Sequence, residues 1–226
     1  MTKDLKKAKH HMRIAADKGD LEANIQLGRI LLQGGDTKAA ITRFDKAVVL
    51  AIIGKTKQEK ANLYRVIVAN LLMHSALDES ERFIVHLTEL EQFLSKEDKL
   101  NNAEIYFYAG YGFSRRTNKM KKEPVIRSEL LRAQYYLEKA LRLFQRTLGG
   151  NFHEQVARTL DAMGSADVKR AGVSWQHVPT LRQYNRRAHE RLELAYEIYR
   201  KILGDDHETT IELRKYINSI LFPLTR

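Results

Sequence analysis

Residues 124–149 read PVIRSELLRAQYYLEKALRLFQRTLG, and residues 179–204, 55 positions later, read PTLRQYNRRAHERLELAYEIYRKILG. Nine positions of this 26-residue window are identical, among them Pro124 and Pro179, Arg127 and Arg182, Arg132 and Arg187, Glu138 and Glu193, and Gly149 and Gly204. That is several times what unrelated segments share. A first-turn proline gives up no helical hydrogen bond, and a glycine after the last apolar residue ends a helix. The spacing therefore predicts long helices over 125–148 and 180–203. Ala133 and Ala140, like Ala188 and Ala195, stand seven apart on one face, with Leu137 or Leu192 between them. Small residues at that spacing let a neighbouring helix approach, and the leucine fills the gap between them. The repeat extends past the window at a spacing of 54: His153-Glu154 matches His207-Glu208, and Gly110 precedes Gly164. Such periodicity is the signature of stacked helix pairs that bury one another's apolar faces.

A shorter version of the same grammar stands near the N-terminus. DLEANIQLGRILLQGGDTKAAITRFDKAVVL carries Leu27-Gly28, a Gly-Gly-Asp turn at 34–36, then Ala40, Phe44 and Ala47. This stretch resembles the tetratricopeptide repeat, whose first helix holds a Leu-Gly pair and whose second holds Ala, an aromatic and Ala at these spacings. Upstream, Ala8, Met12 and Ala15 followed by AADKGDLEA resemble the second helix of a preceding unit of the SEL-like subclass. From Leu137 to Thr210 the LEKAL, LG and HE cadence is similar to the longer repeats of kinesin light chains, without the proline usual after the His. The resemblance implies an all-α solenoid, a right-handed superhelix of about four antiparallel helix pairs, as one domain over 1–226. Its parts are regular repeats over 1–54, a degenerate repeat over 55–100, two longer repeats with inserted connections over 101–210, and a cap over 211–226. In 55–100 only helical periodicity survives: Tyr64, Ile67, Leu71 and Leu72 suggest one helix, and Phe83, Ile84, Leu87, Leu90 and Leu94 another.

Composition agrees with a helical, packed chain. Its 226 residues are 43% hydrophobic, with only twelve Gly and three Pro and no Cys, which excludes disulfides, thiolate metal sites and cysteine nucleophiles. The longest apolar runs, 48–53 and 66–69, fall far short of the roughly 20 residues of a membrane span. The N-terminus has no apolar segment of a secretory signal, so an intracellular, cytoplasmic protein is expected. Net charge is +11, concentrated in Arg115, Arg116, Lys119, Lys121, Lys122 and Arg127, and again in Arg182, Arg186, Arg187 and Arg191. Such a field favours an acidic protein, a nucleic acid or an anionic membrane, and it also serves solubility.

Catalytic constellations fail on missing members. The HE pairs at 153 and 207 lack the second His four residues on, where Ala157 and Ile211 stand, so they read as polar residues at helix starts. Gly54-Lys55-Thr56 imitates the end of a phosphate-binding loop, but Val49 occupies the upstream glycine position. The remaining histidines are scattered, and no Gly-x-Ser-x-Gly elbow is present. No catalytic, cofactor or metal residue is assigned, and a non-enzymatic protein is expected.

In a tetratricopeptide superhelix the first helix of each pair lines the inner groove. The resemblance thus implies groove positions for Gln26, Arg29 and Gln33, for Phe107, Tyr108, Tyr111 and Arg115, and for Arg158, Asp161, Ser165 and Lys169. Tyr and Arg in a concavity are typical interface anchors. YFYAGYGF at 106–113 suits an aromatic packing face equally well. The family's clamp for a terminal carboxylate uses Lys and Asn where this chain has Ile25 and Arg29, so that clamp is not carried over. Trp175, in the 170–178 connection, is a further candidate anchor. Two partner classes are expected: an acidic peptide or protein segment in a basic groove, or RNA held by Arg115 to Lys122 with stacking tyrosines. A continuous basic stripe on the concave face would favour nucleic acid, and outer patches would favour protein contact.

Overall fold

The computed structural model describes residues 3–174 and 178–221. Ten α-helices and no strand lie among them: α1 (Lys3–Asp17), α2 (Leu21–Gln33), α3 (Thr37–Ile52), α4 (Lys57–Met73), α5 (Leu77–Leu90), α6 (Lys96–Arg116), α7 (Glu123–Leu148), α8 (Glu154–Gly172), α9 (Val178–Leu203) and α10 (Glu208–Leu221). The predicted α7 and α9 are present, offset by 55 residues at both ends, each starting two residues before its expected first position. No described helix is long and apolar enough to cross a membrane. Within the units, α1 packs on α2, α2 on α3, α3 on α4 and α4 on α5, and α7 packs on α8, α8 on α9 and α9 on α10, giving an all-α architecture of stacked helix pairs. The chain forms two compact units, one ending at Asp98 and the other starting at Lys99.

Three turns of one design build the first unit. In Lys18-Gly19-Asp20, Gly34-Gly35-Asp36 and His74-Ser75-Ala76 the third residue donates its N–H five residues back, to Ala15, Leu31 and Leu71, at 3.1, 2.9 and 2.9 Å. The middle residue donates three back, to Ala16, Leu32 and Leu72. This double closure satisfies the last carbonyls of a helix and requires a left-handed middle residue. Asp20 and Asp36 then cap the following helix, accepting from the Ala23 and Ala39 amides at 2.7 and 3.0 Å. One residue closes a helix and opens the next.

The third turn was invisible as sequence because it uses neither Gly nor Asp. Ser75 adopts φ 59° where Gly35 has φ 81°, and it is the one non-glycine with positive φ among the described residues. A side chain in that region costs about 1–2 kcal/mol, so Ser75→Gly is expected to stabilise the first unit by about 1 kcal/mol. The midpoint of urea unfolding measures this, and an unchanged or lower midpoint would contradict it.

Superposing these turns places α4 and α5 forty residues after α2 and α3. Ala40, Phe44 and Ala47 of α3, fully buried, then correspond to Ser80, Ile84 and Leu87 of α5, also buried. Gly28, whose Cα lies against the Phe44 ring, corresponds to Val68. Where α2 and α3 set glycine against phenylalanine, α4 and α5 carry buried valine and isoleucine, the same number of side-chain heavy atoms in a bulkier, branched form. The α4–α5 pair thus keeps the turn and the buried spacing of α2–α3 without its glycine.

The second unit repeats the packing at longer period. Gly110 of α6 lies against Leu137 and the Ala133 carbonyl of α7, and Gly164 of α8 lies against Leu192 and the Ala188 carbonyl of α9. Ala133, Leu137 and Ala140, and Ala188, Leu192 and Ala195, are all buried, as the spacing predicts. Polar contacts fix the order. Asp167 of α8 is buried and accepts from Arg191 of α9, with Arg187 at 3.9 Å, while Arg191 also lies 3.6 Å from Glu138 of α7. Burial pushes the Asp167 carboxyl up, against the pull of these arginines and Arg170. Half of the second basic cluster, Arg187 and Arg191, is thus spent inside the fold.

The failed motifs take local roles. His153 occupies the N-cap position of α8, its carbonyl accepting from Val156 and Ala157. Thr56 caps α4 in a reciprocal capping box with Glu59, which also pairs with Lys55 at 2.8 Å.

Candidate functional site

Parallel stacking of α6 and α8 builds one face of the second unit. Arg158 pairs with Glu104 at 2.5 Å, and the Lys169 ammonium donates to the Ser114 carbonyl at 2.9 Å. Those contacts are 54 and 55 residues apart in sequence, so the two helices run side by side in the register of the repeat. Positions equivalent in the repeat become neighbours in space.

On α6, Tyr108, Tyr111 and Arg115 follow at spacings of three and four and fall on one stripe. Tyr108 is 52% exposed and Tyr111 41%, whereas Phe107 is 5% exposed. The expected groove position of Phe107 is corrected: its ring is core, and it supports the surface rings, stacking on Tyr111 at 5.8 Å and meeting Tyr108 edge-on at 5.4 Å. The Arg158 guanidinium lies 4.2 Å over Phe107 and 5.8 Å from Tyr108, and Arg115 lies 5.8 Å over Tyr111. Exposed rings held on a packed base offer contact area with little motion to freeze.

Five of the sequence-predicted residues, Tyr108, Tyr111, Arg115, Arg158 and Lys169, thus share one face. Lys169 is half-buried, and burial together with the charge of Arg115 lowers its pKa. Asp161, one turn beyond Arg158, is pushed up to about 6 by burial, against the hydrogen bond from Ser165. Ser165 also hydrogen-bonds Tyr216 of α10, and Tyr199 of α9 stands near the same carboxyl. Tyr199 and Tyr216 were not singled out in the sequence, because nothing there gave the packing of α9 and α10 on this part of α8.

Asp161 makes stability depend on pH. Its folded-state pKa lies above its unfolded value of 3.8, so the native state prefers the protonated form. Stability present below about pH 4 is therefore lost as pH rises to about 6. Asp161→Asn, which mimics the protonated acid, is expected to stabilise by about 3 kcal/mol at neutral pH and by far less near pH 4. Equal effects at both pH values in chemical denaturation would contradict this assignment.

In the first unit a concavity of about 480 Å³ lies between α2 and α4, lined by Leu21, Ile25, Gln26, Arg29, Asn62 and Val66 among others. Gln26 and Arg29 line this concavity, while Gln33, exposed, is not part of the lining. A ladder runs along one wall: Gln26 donates to Glu22 at 2.6 Å and Arg29 donates to Gln26 at 3.0 Å. Lys55 and Glu59 pair on the other wall, holding Glu59 down to about 2 together with Thr56. Cations and carboxylates balance here, so this concavity is not the basic groove expected. Asn62 and Val66 went unread because the register of α4 was hidden.

The first basic cluster divides too. Arg116 pairs with Glu129, and Arg127 pairs with Glu123 and donates to the Val173 carbonyl at 2.9 Å, while Arg115, Lys119, Lys121 and Lys122 are exposed. Trp175 lies outside the described residues.

No family model and no curated protein matches this chain. Among solved structures it is similar to a computationally designed self-assembling cyclic homooligomer, at 11% identity and TM-score 0.37, covering 97% of this chain and 94% of that one. It is also similar to a circular tandem repeat protein with novel repeat topology and enhanced subunit contact surfaces, at 18% identity and TM-score 0.38, covering 96% of this chain and 56% of that one.

Proposed function

We propose that this chain is a non-enzymatic interaction scaffold of tetratricopeptide type, acting inside the cell, with SEL-like features in its first unit and kinesin-light-chain-like pairs in its second. Its partner is an acidic segment of another protein, received on the α6–α8 face. The observation that carries this reading is the stripe of exposed Tyr108, Tyr111 and Arg115 on a buried Phe107 base, flanked by Lys169. Large rings and a guanidinium on a rigid support supply the anchors from which interfaces draw most of their energy. RNA is the weaker reading, because Arg116, Arg158, Arg187 and Arg191 are committed to carboxylates of the fold and no longer form a stripe.

Selection from a random peptide display library on the immobilised protein tests the proposal. Enriched sequences are expected to be acidic, and Tyr108→Ala with Tyr111→Ala is expected to weaken them by tenfold or more, about 1.4 kcal/mol. Enrichment indifferent to charge would refute it. So would tighter binding of single-stranded RNA that persists at about 150 mM salt with a steep salt slope.

A further inference from the structure

Arg115 stands five residues after Gly110, and Lys169 five residues after Gly164. The parallel register of α6 and α8 therefore brings two cations from equivalent repeat positions together, close enough that Arg115 depresses Lys169. Among the described residues neither is paired with a carboxylate. Lys169 donates to the Ser114 carbonyl at 2.9 Å and lies 3.3 Å from the Ser114 hydroxyl, which leaves one ammonium hydrogen uncommitted. Arg115 is exposed, with the Tyr111 ring 5.8 Å from its guanidinium, and a guanidinium carries five N–H donors. Elsewhere in this unit buried or half-buried cations meet carboxylates: Arg158 on Glu104, Arg116 on Glu129, Arg191 on Asp167. Two adjacent like charges, one of them half-buried, are a standing cost that an anion would remove.

Building on the interaction-scaffold reading, we propose that Arg115 and Lys169 together form the seat for a single side-chain carboxylate of the partner segment, with Tyr111 as its wall. The charge pattern decides between partner classes. Toward the N-terminal ends of the same helices the face carries Glu104 and Arg158, paired with each other. A nucleic-acid backbone, with a phosphate at every step, would meet the Glu104 carboxylate after leaving the cation pair. A peptide with one or two acidic residues needs only the pair. Bidentate contact with the guanidinium plus one ammonium hydrogen bond saturates one carboxylate.

Fluorescence anisotropy of the full chain with a labelled hexaglutamate peptide, and separately a labelled short oligouridylate, tests the seat at about 150 mM salt. Arg115→Gln and Lys169→Met are each expected to weaken hexaglutamate binding about tenfold. Arg115→Lys is expected to retain more than Arg115→Gln, and Lys38→Gln, an exposed lysine of the first unit, to change binding less than about twofold. Arg115 is exposed, so Arg115→Gln remains informative even where Lys169→Met disturbs α6. In the complex the Lys169 ε-carbon is expected to titrate at higher pH than in the free chain. Peptide binding unaffected by both substitutions overturns the seat and leaves the acidic-segment reading standing. No peptide binding by the unsubstituted chain overturns both. Oligouridylate binding that Arg115→Gln abolishes, with the peptide ignored, overturns both in favour of RNA.

Discussion

Gly110→Ala is expected to destabilise the second unit by about 2 kcal/mol, the net of two opposed effects. In an ordinary helix interior the change would stabilise by about 1 kcal/mol, because alanine loses less backbone freedom. Here the new Cβ would lie 2.8 Å from the Ala133 carbonyl oxygen, 3.0 Å from the Leu137 nitrogen and 2.7 Å from the Leu137 Cγ. Two of those atoms are backbone of α7, so relief requires the helices to separate, and overpacking of this kind costs typically 1–3 kcal/mol and occasionally more. Gly164→Ala meets mainly the Leu192 side chain, with the Ala188 carbonyl at 3.2 Å, and is expected to cost less. Equilibrium urea unfolding of the two variants measures the order. A stabilised Gly110→Ala would show that the α6–α7 approach is looser than described.

Phe44→Ala is expected to cost the first unit about 3–5 kcal/mol, the range for removing a fully buried aromatic side chain. Phe44 is 0% exposed, with Ala40 and Ala47 packed equally deep on either side. Phe44→Leu is expected to cost far less, about 1 kcal/mol, because Leu137 and Leu192 hold the same position in the second unit. The ring carbons of Phe44 would stand 2.5–2.9 Å from a Cβ on Gly28. Gly28→Ala should therefore be partly rescued by Phe44→Leu, and a double-mutant cycle in thermal or urea unfolding reads that coupling. Additive effects would contradict direct contact between the two positions.

The fold was legible where both members of a packing pair kept their usual sizes. Gly110 with Leu137, Gly164 with Leu192 and Gly28 with Phe44 all announce themselves, since glycine is conspicuous and its partner stands at a fixed distance. The corresponding Val68 and Ile84, both buried, do not, because two mid-sized residues carry no recognisable motif. The turn at 74–76 escaped for a related reason: backbone hydrogen bonds define it, and serine tolerates, at a cost, what glycine does freely. At the candidate site, helical spacing was enough to separate exposed Tyr108 and Tyr111 from buried Phe107 only once the neighbours of α6 were known. Charge was the least legible property. Arg187 and Arg191 looked like surface cations beside Arg186, yet they answer Glu138 and Asp167. Which arginine meets a carboxylate depends on pairings across helices that no local pattern encodes.

The side-by-side register of α6 and α8 gives the second unit a property of a ruler. Each further copy of the 54-residue segment, inserted by duplication, would lay down another helix about 8–10 Å along, with its residue five positions past the glycine set beside Arg115 and Lys169 in turn. For the proposed carboxylate seat, the number of acidic residues read would then grow with the number of copies. Affinity and length of recognised sequence would grow together, one increment per duplication, without any new side chain having to be invented.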